Sequence, residues 1–126
     1  MSHRTLITNC RPFDSARGTL SPLSTLVIEG DRIVENVAEP RQAEGATVID
    51  AGGRVALPGL IDAHVHVTAV SHDAWRMAAT PASLITAQSR PILEGMLQRG
   101  FTTVRDAAGA DFGLQEAVRR GLFAGP

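Results

Sequence analysis

The stretch GLIDAHVHV, residues 59–67, sets two histidines one residue apart in an otherwise apolar run. Imidazole carries two ring nitrogens, and both require polar partners. Residues i and i+2 of a strand project from the same face, so His64 and His66 stand side by side. Two such rings can aim at one point about 2.0–2.1 Å away, the length of a zinc–imidazole bond. A pair of hydrogen-bonded structural histidines satisfies the same spacing, and His-x-His by itself is a weak signal. Context favours metal. The pair ends an apolar strand that opens a series of strands and helices, where open α/β sheets and barrels gather their sites. Two imidazoles suit zinc, nickel, copper or iron nearly alike, so the spacing leaves the ion open.

Four more residues are candidates beside the pair. Asp62 lies two before His64 and, on a regular strand, faces the same way. It could orient a ligand histidine, or serve as a solvated acid at the strand entry. His72 falls in the following loop, within reach of a substrate or as an ordinary loop histidine. Arg105 and Asp106 end a later strand at the same side. Arg105 could clamp a substrate carboxylate with two parallel hydrogen bonds; a mutual salt bridge or a structural role accounts for the two residues equally well. Cys10 and His3 have no spacing that suggests a site, and Trp75 and Met77 read as cover for apolar surface.

The elements that must position these residues change character near residue 58. Before it, short apolar runs alternate with turn signals. RTLITNC (4–10) reads as a strand and PFDSARGTLSP (12–22) as a polar loop. In STLVIEGDRIVENV two β-branched runs flank Gly30-Asp31, which suits a two-residue hairpin turn with glycine first. ATVIDAGGRVALP repeats the pattern, with strands over 47–50 and 54–57 about Gly52-Gly53. This half reads as a small all-β scaffold.

After Pro58 the order is strand, helix, strand, helix. LIDAHVHV is a strand by its apolar run, and it reads as buried. TPASLITAQSRPILEGMLQRG is helical, with Thr80 as its cap, Pro81 at the first position and Gly100 past its end. Pro91 predicts a kink, or two shorter helices. FTTVRDA is a second strand. GLQEAVRRGLF is a second helix, with Arg119 and Arg120 where the dipole favours cations and Gly121 as its stop. That order implies parallel strands with right-handed crossovers.

Bulk properties narrow the function classes. The 126 residues are 44% hydrophobic and 20% charged, with a formal net charge of −1. That balance fits a globular chain and gives no reason to expect nucleic acid or an anionic membrane as partner. One cysteine excludes an internal disulfide and fits a reducing compartment. No apolar stretch reaches signal-peptide or membrane-spanning length, and the expectation is a cytoplasmic protein. All twelve basic residues are arginines, so chemistry that needs a lysine amine cannot be done by this segment.

VALPGLIDAHVHV (55–67) resembles the signature of the amidohydrolase superfamily, the segment that enters the first strand of a (β/α)8 barrel. GFTTVRDAAG (100–109) and GLQEAVRRGLFAGP (113–126) resemble the second barrel strand and the segment after it in one branch: the imidazolonepropionase-like enzymes and the dipeptidases acting at proline. LVIEGDRIV (26–34) is similar to the β-sandwich preceding the barrel. The resemblance implies two domains: 1–57, a β-sandwich segment, and 58–126, the start of a (β/α)8 TIM-type barrel cut before its third strand. It also implies that His64 and His66 are the first two metal ligands. In such enzymes one or two divalent ions, usually zinc, activate the water that attacks a carbonyl of an amide, dipeptide or cyclic amide substrate.

The remaining ligands of that family, later histidines, a bridging carboxylated lysine and a proton-handling aspartate, have no counterpart here. A complete barrel takes about 250 residues, of which 58–126 would supply fewer than a third. Two histidines leave most of a tetrahedral shell to water, so tight zinc binding by the chain alone is not expected. The expectation is the N-terminal part of a metal-dependent hydrolase of carbon–nitrogen bonds, inactive by itself and needing the rest of the barrel or an oligomer partner. Two alternatives stay open: a non-catalytic remnant or partner-dependent half, and a small metal-binding module using His64 and His66.

Overall fold

The computed structural model describes residues 3–38 and 44–126. Contacts divide the chain into two compact units, Met1–Pro58 and Gly59–Pro126. Among the described residues no helix is long and apolar enough to cross a membrane.

The first unit is built on one long strand. β1 (Arg4–Asp14) pairs antiparallel with β2 (Thr19–Leu20) and with β3 (Ser24–Glu29), and β3 pairs with β4 (Arg32–Val37). Gly30 takes φ +61° in the tight turn between β3 and β4, with Glu29 opposite Arg32, as its sequence position requires. The expected polar loop over 12–22 is shorter than its composition suggests. β1 runs on through Phe13 and Asp14, and Phe13 sits opposite Leu20 across a second turn. The Asp14 carboxylate accepts the backbone N–H groups of Ala16 and Arg17 and so holds that turn.

The Gly52-Gly53 turn does not make a second hairpin. β5 (Thr47–Asp50) and β6 (Val55–Ala56) both pair with β1, in parallel, against Thr5–Thr8 and Arg11–Pro12 respectively. At the join Asn9 adopts φ +50°, accepts the Gly53 N–H at 2.7 Å and donates its side-chain amide to Asp50 Oδ1 at 3.0 Å. Asn tolerates this left-handed conformation better than most residues. Leu6, Cys10, Leu26 and Val27 form the buried apolar centre, and the Cys10 thiol is free.

In the second unit β7 (Leu60–Val65) and β8 (Phe101–Asp106) are parallel neighbours, as the strand–helix–strand order requires. Between them lie α1 (Ala74–Ala79) and α2 (Ala82–Gln98), and α3 (Phe112–Arg119) follows β8. Thr80 does not cap α2. It closes α1, a helix not expected from the sequence, by donating Oγ1–H to the Arg76 carbonyl at 2.7 Å. Asp73 starts α1 by accepting the N–H groups of Trp75 and Arg76. α2 runs unbroken through Pro91. The carbonyl that Pro91 leaves without an amide partner belongs to Ala87, whose exposure lets water take the bond. Asp111 caps α3 through Gly113 and Leu114, and Gly121 ends the segment at φ +71°.

Val65, Val67, Leu93 and Leu114 form the buried core of this unit, packed with Met96, Val104 and Val118. Among the described residues of this unit, the core covers one face of the β7–β8 pair. Ile61 is 72% exposed, so the run that reads as a buried strand is largely open here. Trp75, at 87% exposure, covers no apolar surface.

Candidate metal centre

Val65 and Val67 point into the core. The alternation of an extended chain therefore turns His64 and His66 to the opposite, exposed face. His64 is the penultimate residue of β7, and His66 lies just past its end. The two Nε2 atoms are 3.3 Å apart, with ring planes at 79°. Two nitrogens bound at about 2.0–2.1 Å to one tetrahedral zinc lie about 3.3–3.4 Å from each other. The spacing of the pair fits a shared divalent ion.

The far side of His66 is also arranged. Its Nδ1 lies 3.0 Å from the Ala108 carbonyl. A carbonyl can only accept, so Nδ1 carries a proton, and in the neutral ring Nε2 then presents a lone pair. That is the tautomer a ligand imidazole needs when it binds through Nε2. Among the described residues no group of three or more His, Cys, Asp or Glu is placed to hold a metal ion.

The other candidates separate. Between Asp62 and Val65 the β7–β8 register slips, with three steps on β7 against two on β8. This bulge interrupts the alternation that would align Asp62 with His64. Asp62 Oδ1 accepts the His64 backbone N–H at 3.1 Å, so the carboxylate serves the main chain rather than an imidazole ring. Arg105 sits between Val104, which packs on the core, and Asp106, so it projects to the histidine face. Its side chain is exposed and makes no ion pair or hydrogen bond among the described residues, and the Asp106 carboxylate accepts backbone N–H groups instead of pairing with it. His72 is exposed beside the cap of α1 and is not brought to the pair.

Asp106 is fully engaged. Oδ2 accepts the Val67 N–H at 2.8 Å; Oδ1 accepts the Ala108 N–H at 3.0 Å and the Ala110 N–H at 3.5 Å. A cavity of about 380 Å³ opens on the core side of the sheet, lined by Val67, Leu93, Val104, Asp106, Leu114 and Val118 among others; neither histidine lines it. The Ala108 carbonyl is the functional group that sequence reading misses. Every residue has a carbonyl, and the only hint is Gly109, whose φ of +110° shapes the loop after Asp106.

The profile of the amidohydrolase family matches residues 55–126. A prolidase crystallised with N-methylphosphonate-L-proline is 43% identical, with a TM-score of 0.88 over 98% of this chain and 30% of that one. Imidazolonepropionase of Streptomyces coelicolor is 29% identical over 135 residues, covering 96% of this chain and 33% of the relative. Adenine deaminase of Gluconobacter oxydans is 47% identical over 62 residues, 49% of this chain and 10% of the relative. The chain thus spans a third or less of the length of these proteins. Its fold is a β-sandwich segment followed by the first βα units of an incomplete (β/α)8 barrel. With the histidine pair at the end of the strand that opens those units, and a family profile running over more than half its length, the chain belongs to the amidohydrolase family.

Proposed function

We propose that the chain is the N-terminal part of a metal-dependent amidohydrolase that cleaves amide or peptide-type carbon–nitrogen bonds in dipeptides or cyclic amides. His64 and His66 hold a divalent ion, zinc in the first instance, through Nε2. When bound, such an ion activates water and polarises the scissile carbonyl. The observation that carries this reading is the convergence of the two Nε2 atoms at 3.3 Å, with the His66 proton held on Nδ1 by Ala108. Two nitrogens are half of a four-coordinate shell, so the other ligands come from residues outside this segment, and the segment alone is inactive. Arg105, exposed on the histidine face, would receive an anionic end of the substrate, and its side chain supports that reading by having no ion-pair partner among the described residues. The likeness to a prolidase and to imidazolonepropionase supports a small substrate bearing an amide bond.

The test uses the full-length native product. Its metal content and its hydrolysis of Xaa-Pro dipeptides and cyclic amides are measured beside His64→Ala and His66→Ala. Stoichiometric metal in the native protein, lost together with hydrolysis in both variants, is the expected result. A native product of this length only, metal-free and inert, would sink the proposal and favour a remnant.

A further inference from the structure

We propose that Asp106 is a positioning residue for the metal site, acting on His66 through the loop 106–110. The inference rests on the reading of His66 as a ligand. Asp106 touches neither histidine ring, yet every strong contact it makes leads toward one of them. Its Oδ2 holds the N–H of Val67, the residue after His66. Its Oδ1 holds the N–H of Ala108, the residue whose carbonyl receives Nδ1–H of His66 at 3.0 Å. One carboxylate thus holds both sides of the same hydrogen bond, the main chain next to the imidazole and the residue whose carbonyl accepts from it.

The loop has little freedom to find this shape without the brace. Gly109 lies at φ +110°, and a Cβ there would meet Thr68 Oγ1 at 2.3 Å, so the turn passes close against the chain that leaves β7. Charge matters as well as shape. A carboxylate accepts several N–H groups at once and donates none, and charge-assisted bonds of this kind are stronger than neutral ones. An amide in its place would set its own N–H groups against at least one backbone donor. Without Asp106 the Ala108 carbonyl is free to turn, and His66 is free to carry its proton on Nε2, where it blocks the lone pair a metal needs.

The test reads the tautomer directly. Full-length protein labelled with ¹⁵N-histidine is stripped of metal by chelation, and long-range ¹H–¹⁵N correlation reports which nitrogen of His66 is protonated. Zinc affinity is measured on the same samples. The native protein is expected to show His66 as the Nδ1–H form. Asp106→Ala is expected to show a mixture of tautomers at His66 and zinc binding weaker by about 10–100-fold, the range for lost partners of ligand histidines. Asp106→Asn is expected to shift both readouts in the same direction and by less, and it carries the test if Asp106→Ala does not fold. A purely structural role would lower the melting temperature while leaving His66 a single Nδ1–H form. That result in either folded variant overturns the proposal. Failure of the ligand reading shows separately, as zinc binding unaffected by His66→Ala.

Discussion

Of the two histidines, only His66 has its ring orientation held by a second partner among the described residues. With its proton on Nδ1 for the Ala108 carbonyl, the neutral His66 ring offers Nε2 as an acceptor, either to an ion or to a His64 Nε2–H across the 3.3 Å between the rings. To face a metal through Nε2, a neutral His64 has to carry its proton on Nδ1. Elsewhere two surface carboxylates are held toward their ionised form by local partners. The Gly52 N–H, then the Asn9 amide and Arg54, hold Asp50 below its ordinary value of 3.8. The guanidinium groups of Arg119 and then Arg120 hold Glu116 below its ordinary 4.5. A carboxylate whose pKa falls on folding binds protons more weakly in the native state than in the unfolded one. Its stabilisation is complete above the ordinary value and disappears as pH falls through the lower folded value. Urea midpoints taken from pH 7 to pH 3 are therefore expected to fall less steeply in Asp50→Asn/Glu116→Gln than in the parent chain. Equal slopes would show that the two carboxylates contribute nothing to acid lability. At this scale the sequence is a partial guide. A spacing of two puts His64 and His66 on one strand face and is readable, whereas the Asp62 carboxylate turns to a backbone amide because a bulge frees that amide.

Elements form where local chemistry and packing agree, and they depart from expectation where a second residue competes. Asp73 and Thr80 are both capping types. Pro81 makes Thr80 resemble the start of α2, but the Asp73 carboxylate reaches two N–H groups first and leaves Thr80 to close α1. Pro91 reads as a break, and the sequence does not reveal that Ala87, whose carbonyl it orphans, lies exposed. Parallel pairing of β7 with β8 was legible in the strand–helix–strand order, and so was the hairpin about Gly30. The close approach at Gly59 is legible only in the fold. A Cβ there would lie 1.9 Å from Thr102 Oγ1 and 2.7 Å from Thr102 Cβ, and a β-branched side chain cannot swing its own Cβ aside. Gly59→Ala is expected to destabilise the fold by about 1–3 kcal/mol, the range for forced overpacking. Thr102→Ala, which removes two of the three clashing atoms, should recover part of that loss. A double-mutant cycle in urea checks it, and additive effects would show that the contact relaxes without strain.

Across the whole molecule, the composition of an ordinary globular chain conceals how much apolar surface stays open. Leu60, Ile61, Phe112 and Leu122 in the second unit are each more than 40% exposed, and so are Ile33, Val48 and Ile49 in the first. Scattered apolar residues are normal on a surface, but Leu60 and Ile61 leave two adjacent apolar side chains open on one strand of a two-stranded sheet. The 126-residue chain by itself is expected to associate with rising concentration in sedimentation velocity and to bind an apolar dye; a dye-silent monomer at high concentration would contradict this. Sequence pattern separates core from surface only when both faces of a strand can be assigned, and a run such as LIDAHV does not say which of its faces will be covered. The long strand β1 has a consequence of another kind, for the order of assembly. Its partners β5 and β6 join it across some forty residues, Thr5 with Thr47, whereas β3 and β4 close over the two residues 30 and 31. Closing the longer loop costs more chain entropy before any pairing is gained. The hairpin can therefore form early during synthesis, while β1 waits, unpaired along its parallel edge, until residues 47–56 leave the ribosome.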